Sequence, residues 1–164
     1  MKKSKLNFLA FICFQLLFIQ VIMAQKAELK YELLYEIEFT LDSIIDVGKT
    51  PLGKRVIYPV TGGVFEGPKL KGKVLPIGAD WLVEFESGTR KLDVNVVLET
   101  DDGAIIYVTY TGFYHSNDDG SVYFRIIPIF ETSSEKYNWL NHTISVGIGR
   151  SKKGGVAYTV YAIK

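Results

Sequence analysis

The sequence predicts an all-β domain built as one antiparallel meander, and three observations carry that prediction. After a polar lead-in, almost every segment alternates apolar and polar residues with period two and is rich in β-branched and aromatic side chains. The breaks between segments are turn chemistry: "TPLGK", "TGG", "EGP", "ESGT", "TDDG", "SNDDG" and "KKGG". Their short, regular spacing, with no repeat, low-complexity tract or internal linker, fits a single sheet closed into a barrel or folded as a sandwich.

The first 24 residues stand apart. Lys2, Lys3 and Lys5 precede an apolar run from Leu6 to Met23, broken only by Asn7, Gln15 and Gln20, and Ala24 supplies a small residue before the polar "QKAE". That is the pattern of a secretory signal peptide with cleavage after Ala24, so the expected organisation is a signal at 1–24 and one domain at 25–164, secreted or periplasmic. The competing reading is an uncleaved anchor, since the run nearly reaches the length that spans a bilayer. Cleavage removes Cys13, the only cysteine, and turns the formal net charge from +1 to −2. The mature chain would then have no disulfide and no thiol nucleophile, and it lacks the basic footprint of a nucleic-acid binder. No membrane partner is expected after cleavage.

Strands are expected near 32–41, 54–59, 62–66, 71–75, 81–86, 91–100, 104–111, 121–131, 143–149 and 155–163. In the central hairpin, a type I turn at Asp101–Asp102 with Gly103 left-handed pairs Thr100 with Ala104. Leu92, Val94, Val96 and Leu98 then share a face with Ile106, Val108 and Tyr110. Asp93, Asn95, Val97 and Glu99 share the other face with Ile105, Tyr107, Thr109 and Thr111. A two-residue turn would mix these faces, so the three-residue turn is preferred. Which face lines the interior stays open: the apolar face suits a core, yet Val97, Ile105 and Tyr107 are poor solvent residues, and a ligand-holding lumen wants a mixed lining.

One segment breaks the alternation. In "ETSSEKYNWLN", Thr132 and Glu135 have capping-box spacing, which predicts a short helix near 133–140 with Tyr137 and Leu140 on one face, plugging one end of the barrel.

The segments "PVTGGVFEGPKLKGKVLPIGADW" (59–81), "KLDVNVVLETDDGAIIYV" (91–108), "VYFRIIPIFET" (122–132) and "YNWLN" (137–141) resemble the domain-of-unknown-function family numbered 3237, over about residues 33–161. The resemblance implies a calycin-like (lipocalin-like) β-barrel and therefore closure; it implies no particular activity. Ile77 stands where that pattern more often has a second glycine before "GADW".

Asp80 and Asp93 are the sharpest candidates for chemistry. Neither belongs to a Gly-Asp turn, and both sit beside large apolar groups, where a buried carboxylate is expensive unless paired. If they are inside, Arg125, Tyr107 or the Trp81 indole must offset that cost, and desolvation could make one a general acid. The alternatives are a turn cap for Asp80 and a solvated strand residue for Asp93. The expected ligand-binding set is Glu66, Asp80, Trp81, Asp93, Tyr107, Arg125, Tyr137 and Trp139, with Asp80, Asp93 and Tyr107 as catalytic candidates. His115 and His142 lack metal-ligand spacing. The Gly-x-Ser-x-Gly elbow is absent, and "VGIGR" lies in a strand and opens no helix. No metal and no cofactor is expected.

Two functional readings follow. The first is a secreted barrel that binds a small apolar or aromatic molecule. The second is a cofactor-free acid–base enzyme, an isomerase, cyclase, lyase or hydrolase, using Asp80, Asp93 and Tyr107. A third class, a homo-oligomer joined through an exposed apolar face, needs such a face to lie outside the barrel.

Overall fold

The computed structural model of the chain describes residues 28–164; the segment read as a signal lies outside them. Nine strands follow one another: β1 Tyr31–Leu41, β2 Ile45–Thr50, β3 Gly53–Glu66, β4 Lys71–Glu84, β5 Arg90–Thr100, β6 Ile105–Ser116, β7 Val122–Glu131, β8 Ser145–Lys152 and β9 Gly155–Ile163. Each pairs antiparallel with the next, apart from β1 with β2, and β1 pairs with β9 on one side and β3 on the other. This closes eight strands into a barrel, removing the open edges that a flat sheet would expose. The extra strand, β2, pairs with the first half of β3.

The hairpin register follows from its turn. Gly103 has φ +84 and donates its N–H to the Thr100 carbonyl, and Thr100 pairs with Ala104. From there the ladder runs Leu98↔Ile106, Val96↔Val108 and Val94↔Tyr110. The apolar face is the interior: Leu92, Val94, Val96, Leu98, Ile106 and Val108 are all buried. Asp93 and Tyr107 therefore lie on the outer wall, because neighbours along a strand face opposite ways.

Two strand boundaries differ from the sequence reading. The stretches 54–59 and 62–66 form one strand, and so do 71–75 and 81–86, so "PIGAD" continues β4 and is not a turn. The turn chemistry that suggested breaks instead marks irregularities, with the pairing register shifting between Pro59 and Gly63 and between Val74 and Gly78. β2 was not expected, since "IDVGKT" has a poor alternation pattern.

The helix is present but is a 3-10 segment at Glu135–His142. The expected capping box does not form: Ser134 occupies the cap without a side-chain bond, while Thr132 Oγ1 donates to the Ile105 carbonyl and accepts the Ser134 N–H. The segment still closes one end, burying Tyr137 and Leu140 against the core. Asp102 ties it down by accepting Lys136 Nζ at 2.5 Å, the Tyr137 hydroxyl at 3.1 Å and Thr100 Oγ1 at 2.5 Å. The Lys136 bond, followed by that from Thr100, holds the Asp102 carboxyl down at about 2. A depressed carboxylate keeps its contribution above its unfolded pKa and loses it only as pH falls toward the folded value. Asp102→Ala is expected to speed amide hydrogen exchange across Glu135–His142 several-fold at neutral pH while the strands stay protected; unchanged exchange there would contradict this tie.

Candidate functional site

The interior divides into a filled half and a hollow half. Toward the helical plug, Tyr35, Phe65 and Phe130 pack edge to face, with Tyr35 ring centroids 5.8 Å from Phe65 and 6.2 Å from Phe130. Phe39, Tyr110 and Tyr158 form a floor above them, with the Tyr158 ring 6.0 Å from Phe39 and 5.7 Å from Tyr110. Above that floor lies a pocket of about 180 Å³, walled by all eight barrel strands. It opens at the end opposite the plug, beside the β4–β5, β6–β7 and β8–β9 turns, where Arg90, Tyr114, Ser151 and Gly155 border it.

Asp80 is the one carboxylate on this wall. Register places it between Tyr58 on β3 and Val94 on β5, with Tyr110 next beyond Val94. The β4–β5 ladder runs to Asp80↔Val94 and resumes only at Val83↔Lys91. In that gap the Asp80 side chain substitutes for the missing strand bond, with Oδ1 accepting the Asp93 N–H at 3.1 Å. The Trp81 carbonyl, freed in the same gap, accepts the Arg55 guanidinium from the outer face.

Burial among aromatic and aliphatic side chains pushes the Asp80 carboxyl up to about 7. The Asp93 N–H opposes this, the Asp93 charge adds to it, and the Arg55 charge opposes it again, in falling order of size. Asp80 therefore exchanges a proton near neutrality. Burial also raises Tyr110 and Tyr158 far above the phenol range, and the charge of Asp80 raises both further. These hydroxyls stay protonated and can donate hydrogen bonds. At the mouth, Arg90 Nε donates to Glu84 at 2.8 Å and its guanidinium lies 5.3 Å from the Tyr114 ring.

The sequence-derived residues do not converge. Of the eight proposed for ligand binding, Asp80 alone lines the pocket. Trp81 faces outward because it follows Asp80 in a strand, and Asp93 is exposed because it precedes the inward Val94. Tyr107 is on the outer wall too, its hydroxyl donating to Asn95 Oδ1 at 2.8 Å. Glu66 is exposed at the end of β3. Arg125 lies outside, donating to the Phe124 carbonyl at 2.9 Å, with its guanidinium 5.1 Å from the Tyr123 ring. Tyr137 and Trp139 belong to the plug at the closed end, the latter 5.4 Å beneath Lys69 Nζ. Asp80 is also not a turn cap, since it sits within β4.

Pocket residues missed by sequence reasoning include Phe39, Tyr58, Arg90, Tyr110, Phe124 and Tyr158. A signal existed for Tyr110, which shares strand parity with the buried aliphatics of the central hairpin. Among the described residues, no group of three or more His, Cys, Asp or Glu is placed to hold a metal.

The family model described as "Protein of unknown function (DUF3237)" matches residues 29–163. The chain belongs to this family. A protein of the UPF0311 group from Clostridium acetobutylicum is 33% identical over 133 residues, covering 73% of this chain and 84% of that one. DUF3237 membership is matched by the fold: a solved β-barrel-like protein from Acinetobacter baumannii superposes with a TM-score of 0.82 at 36% identity, covering 86% of this chain and 99% of that chain. A hydroalkoxylation enzyme from Penicillium herquei is 32% identical over 93 residues, which is 57% of this chain and 56% of that enzyme.

Proposed function

We propose that this DUF3237 barrel is a cofactor-free acid–base catalyst that adds a hydroxyl across a carbon–carbon double bond within one small aromatic substrate. The observation that carries the reading is Asp80, a carboxylic acid titrating near 7 and the one carboxylate in a pocket whose walls are mainly aromatic and aliphatic, with Arg90 and Ser151 at the mouth. The partial likeness to a hydroalkoxylation enzyme supports the same chemistry. At about 180 Å³ the pocket suits one aromatic ring with a short substituent, since a cavity of roughly 150 Å³ holds benzene.

The proton balance closes without a cofactor. Because Oδ1 accepts the Asp93 N–H, the acid proton belongs on Oδ2. Asp80 gives this proton to the less substituted alkene carbon, and the cationic carbon left behind bonds to the substrate hydroxyl oxygen. The hydroxyl proton returns to the Asp80 carboxylate, so the enzyme ends as it began and the product is an isomer of the substrate. The Tyr58, Tyr110 and Phe39 rings line the same pocket, and a cation is stabilised against aromatic faces.

An ortho-methallylphenol is a suitable probe, since protonation gives a tertiary centre and closure gives a dihydrobenzofuran. Conversion is expected to decline above about pH 7 as Asp80 ionises, and Asp80→Asn is expected to lose at least a hundredfold in kcat with little change in KM. Turnover that survives Asp80→Asn would refute this role. The second reading, a ligand-holding barrel, is favoured by the presence of only one carboxylate on the pocket wall; saturable binding of the probe without conversion would establish it.

A further inference from the structure

The outer wall is not uniform. Around β1, β3, β4 and β9 it carries paired charges, including Lys73 with Glu99, Lys152 with Glu38, and Lys69 with Glu32. Around β6, β7 and the first half of β8 it is largely apolar. Ile127 is 50% exposed, Ile129 43%, Phe113 45%, Ile148 44% and Ile144 59%. Tyr107, Val146, Ile105 and Tyr123 extend the same face. Patches of this size on a soluble protein mark an interaction site.

The pattern along β7 identifies the occupant. Its outward residues run Tyr123, Arg125, Ile127, Ile129, Glu131. Arg125 and Glu131 stand three residues either side of Pro128, and neither has an ion pair among the described residues. A two-fold axis lying in the face and crossing β7 at Pro128 would set two copies of the strand antiparallel, as a C2 interface requires of one self-complementary patch. Arg125 then meets Glu131 of a second copy, and Ile127 meets Ile129. The register of the neighbouring strands agrees, because Phe113 lies level with Arg125 and Tyr107 level with Glu131. The same axis places Phe113 over the second copy's Tyr107, and Thr111 over Thr109. Nine exposed apolar side chains and the two charges supply the centre of an interface of the size class that buries ~800 Å² per partner.

We infer that the β6–β8 face is the interface of a symmetric homodimer, packed sheet against sheet and fixed in register by two reciprocal Arg125–Glu131 pairs. The arrangement leaves the pocket mouth free, since it uses the wall and not the barrel end. Sedimentation equilibrium of the purified protein tests it. A dimer is expected at micromolar concentration. Arg125→Glu, or Glu131→Arg, is expected to raise the dissociation constant at least tenfold by setting like charges face to face, and the double reversal Arg125→Glu/Glu131→Arg to restore it to within about threefold. Circular dichroism confirms that each variant is folded. A wild-type monomer at 100 μM (roughly a hundred times the ~1 μM of a −8 kcal/mol association) overturns the proposal, as does a dimer indifferent to the single reversals. Loss of the dimer in both singles without recovery in the double overturns the antiparallel register.

Discussion

Asp80→Asn is expected to stabilise the protein at pH 8 and to leave its stability unchanged at pH 4. The folded carboxyl titrates near 7, against about 3.9 for an aspartate in an unfolded chain. Between these values the folded protein keeps a proton that the unfolded chain releases. Stability therefore falls as pH rises, by up to about 1.4 kcal/mol per unit, and the loss is complete just above the folded pKa. The full difference amounts to as much as about 4 kcal/mol at pH 8, smaller to the extent that water enters the open pocket. Asparagine does not titrate, and its amide oxygen can still accept the Asp93 N–H. The variant should melt about 10 °C above wild type at pH 8 and coincide with it near pH 4. A melting difference that is flat from pH 5 to pH 8 would mean that Asp80 does not titrate in this window.

The sign of that effect separates two explanations of the carboxylate without reference to any substrate. A structural aspartate in an ion pair has a lowered pKa, and its removal destabilises at neutral pH, as the bonds around Asp102 illustrate. Asp80 shows the opposite perturbation with burial as its main cause, so the fold carries it at a cost. Residues that reduce stability where a neutral amide of the same shape would serve are concentrated at functional sites.

How far the sequence disclosed this arrangement depended on which physical signal each residue obeyed. Strand parity and turn chemistry are local, and they placed the central hairpin in register residue for residue, from Thr100↔Ala104 outward. The same local rule separates Asp80 from Trp81 and Asp93 from Val94 onto opposite faces. The difficulty was that adjacency in "GADW" suggested a shared site, whereas a strand makes neighbours diverge. Tyr58 and Tyr110 reach Asp80 through strand register, across β3–β4 and β4–β5–β6, whereas Tyr158 on β9 meets it only through closure, which no sequence spacing encodes. Arg90 was passed over because it borders the "ESGT" turn and reads as solvated, although its guanidinium lies over the Tyr114 ring. The 3-10 segment was legible as a plug from Tyr137 and Leu140, but its capping was not, because Thr132 bonds the Ile105 carbonyl on the neighbouring strand and so does not cap.

Gly78→Ala is expected to be the most damaging small change near the site. Gly78 has φ +126, a conformation L side chains rarely adopt, and a Cβ there would lie 2.0 Å from the Asn95 carbonyl oxygen. That oxygen is backbone in the neighbouring strand and cannot swing aside. Relief would require β4 to move away from β5 at the point where the register has just shifted, two residues before Asp80. The strain and the displaced ladder together should cost about 4 kcal/mol or more, at the extreme of single substitutions, lowering the melting temperature by more than about 10 °C. Gly88→Ala is the control, since Gly88 also has positive φ, +79, but nothing lies within 4 Å of its added Cβ. It should cost only about 1 kcal/mol. Equal costs at the two positions would show that backbone conformation, and not the close approach of β4 to β5, makes glycine necessary before Asp80. An excess at Gly78 instead explains "GAD" physically: the glycine lets the strands close at the bulge, and that closure sets the Asp80 carboxyl where the ladder opens and the Asp93 N–H is free to receive it.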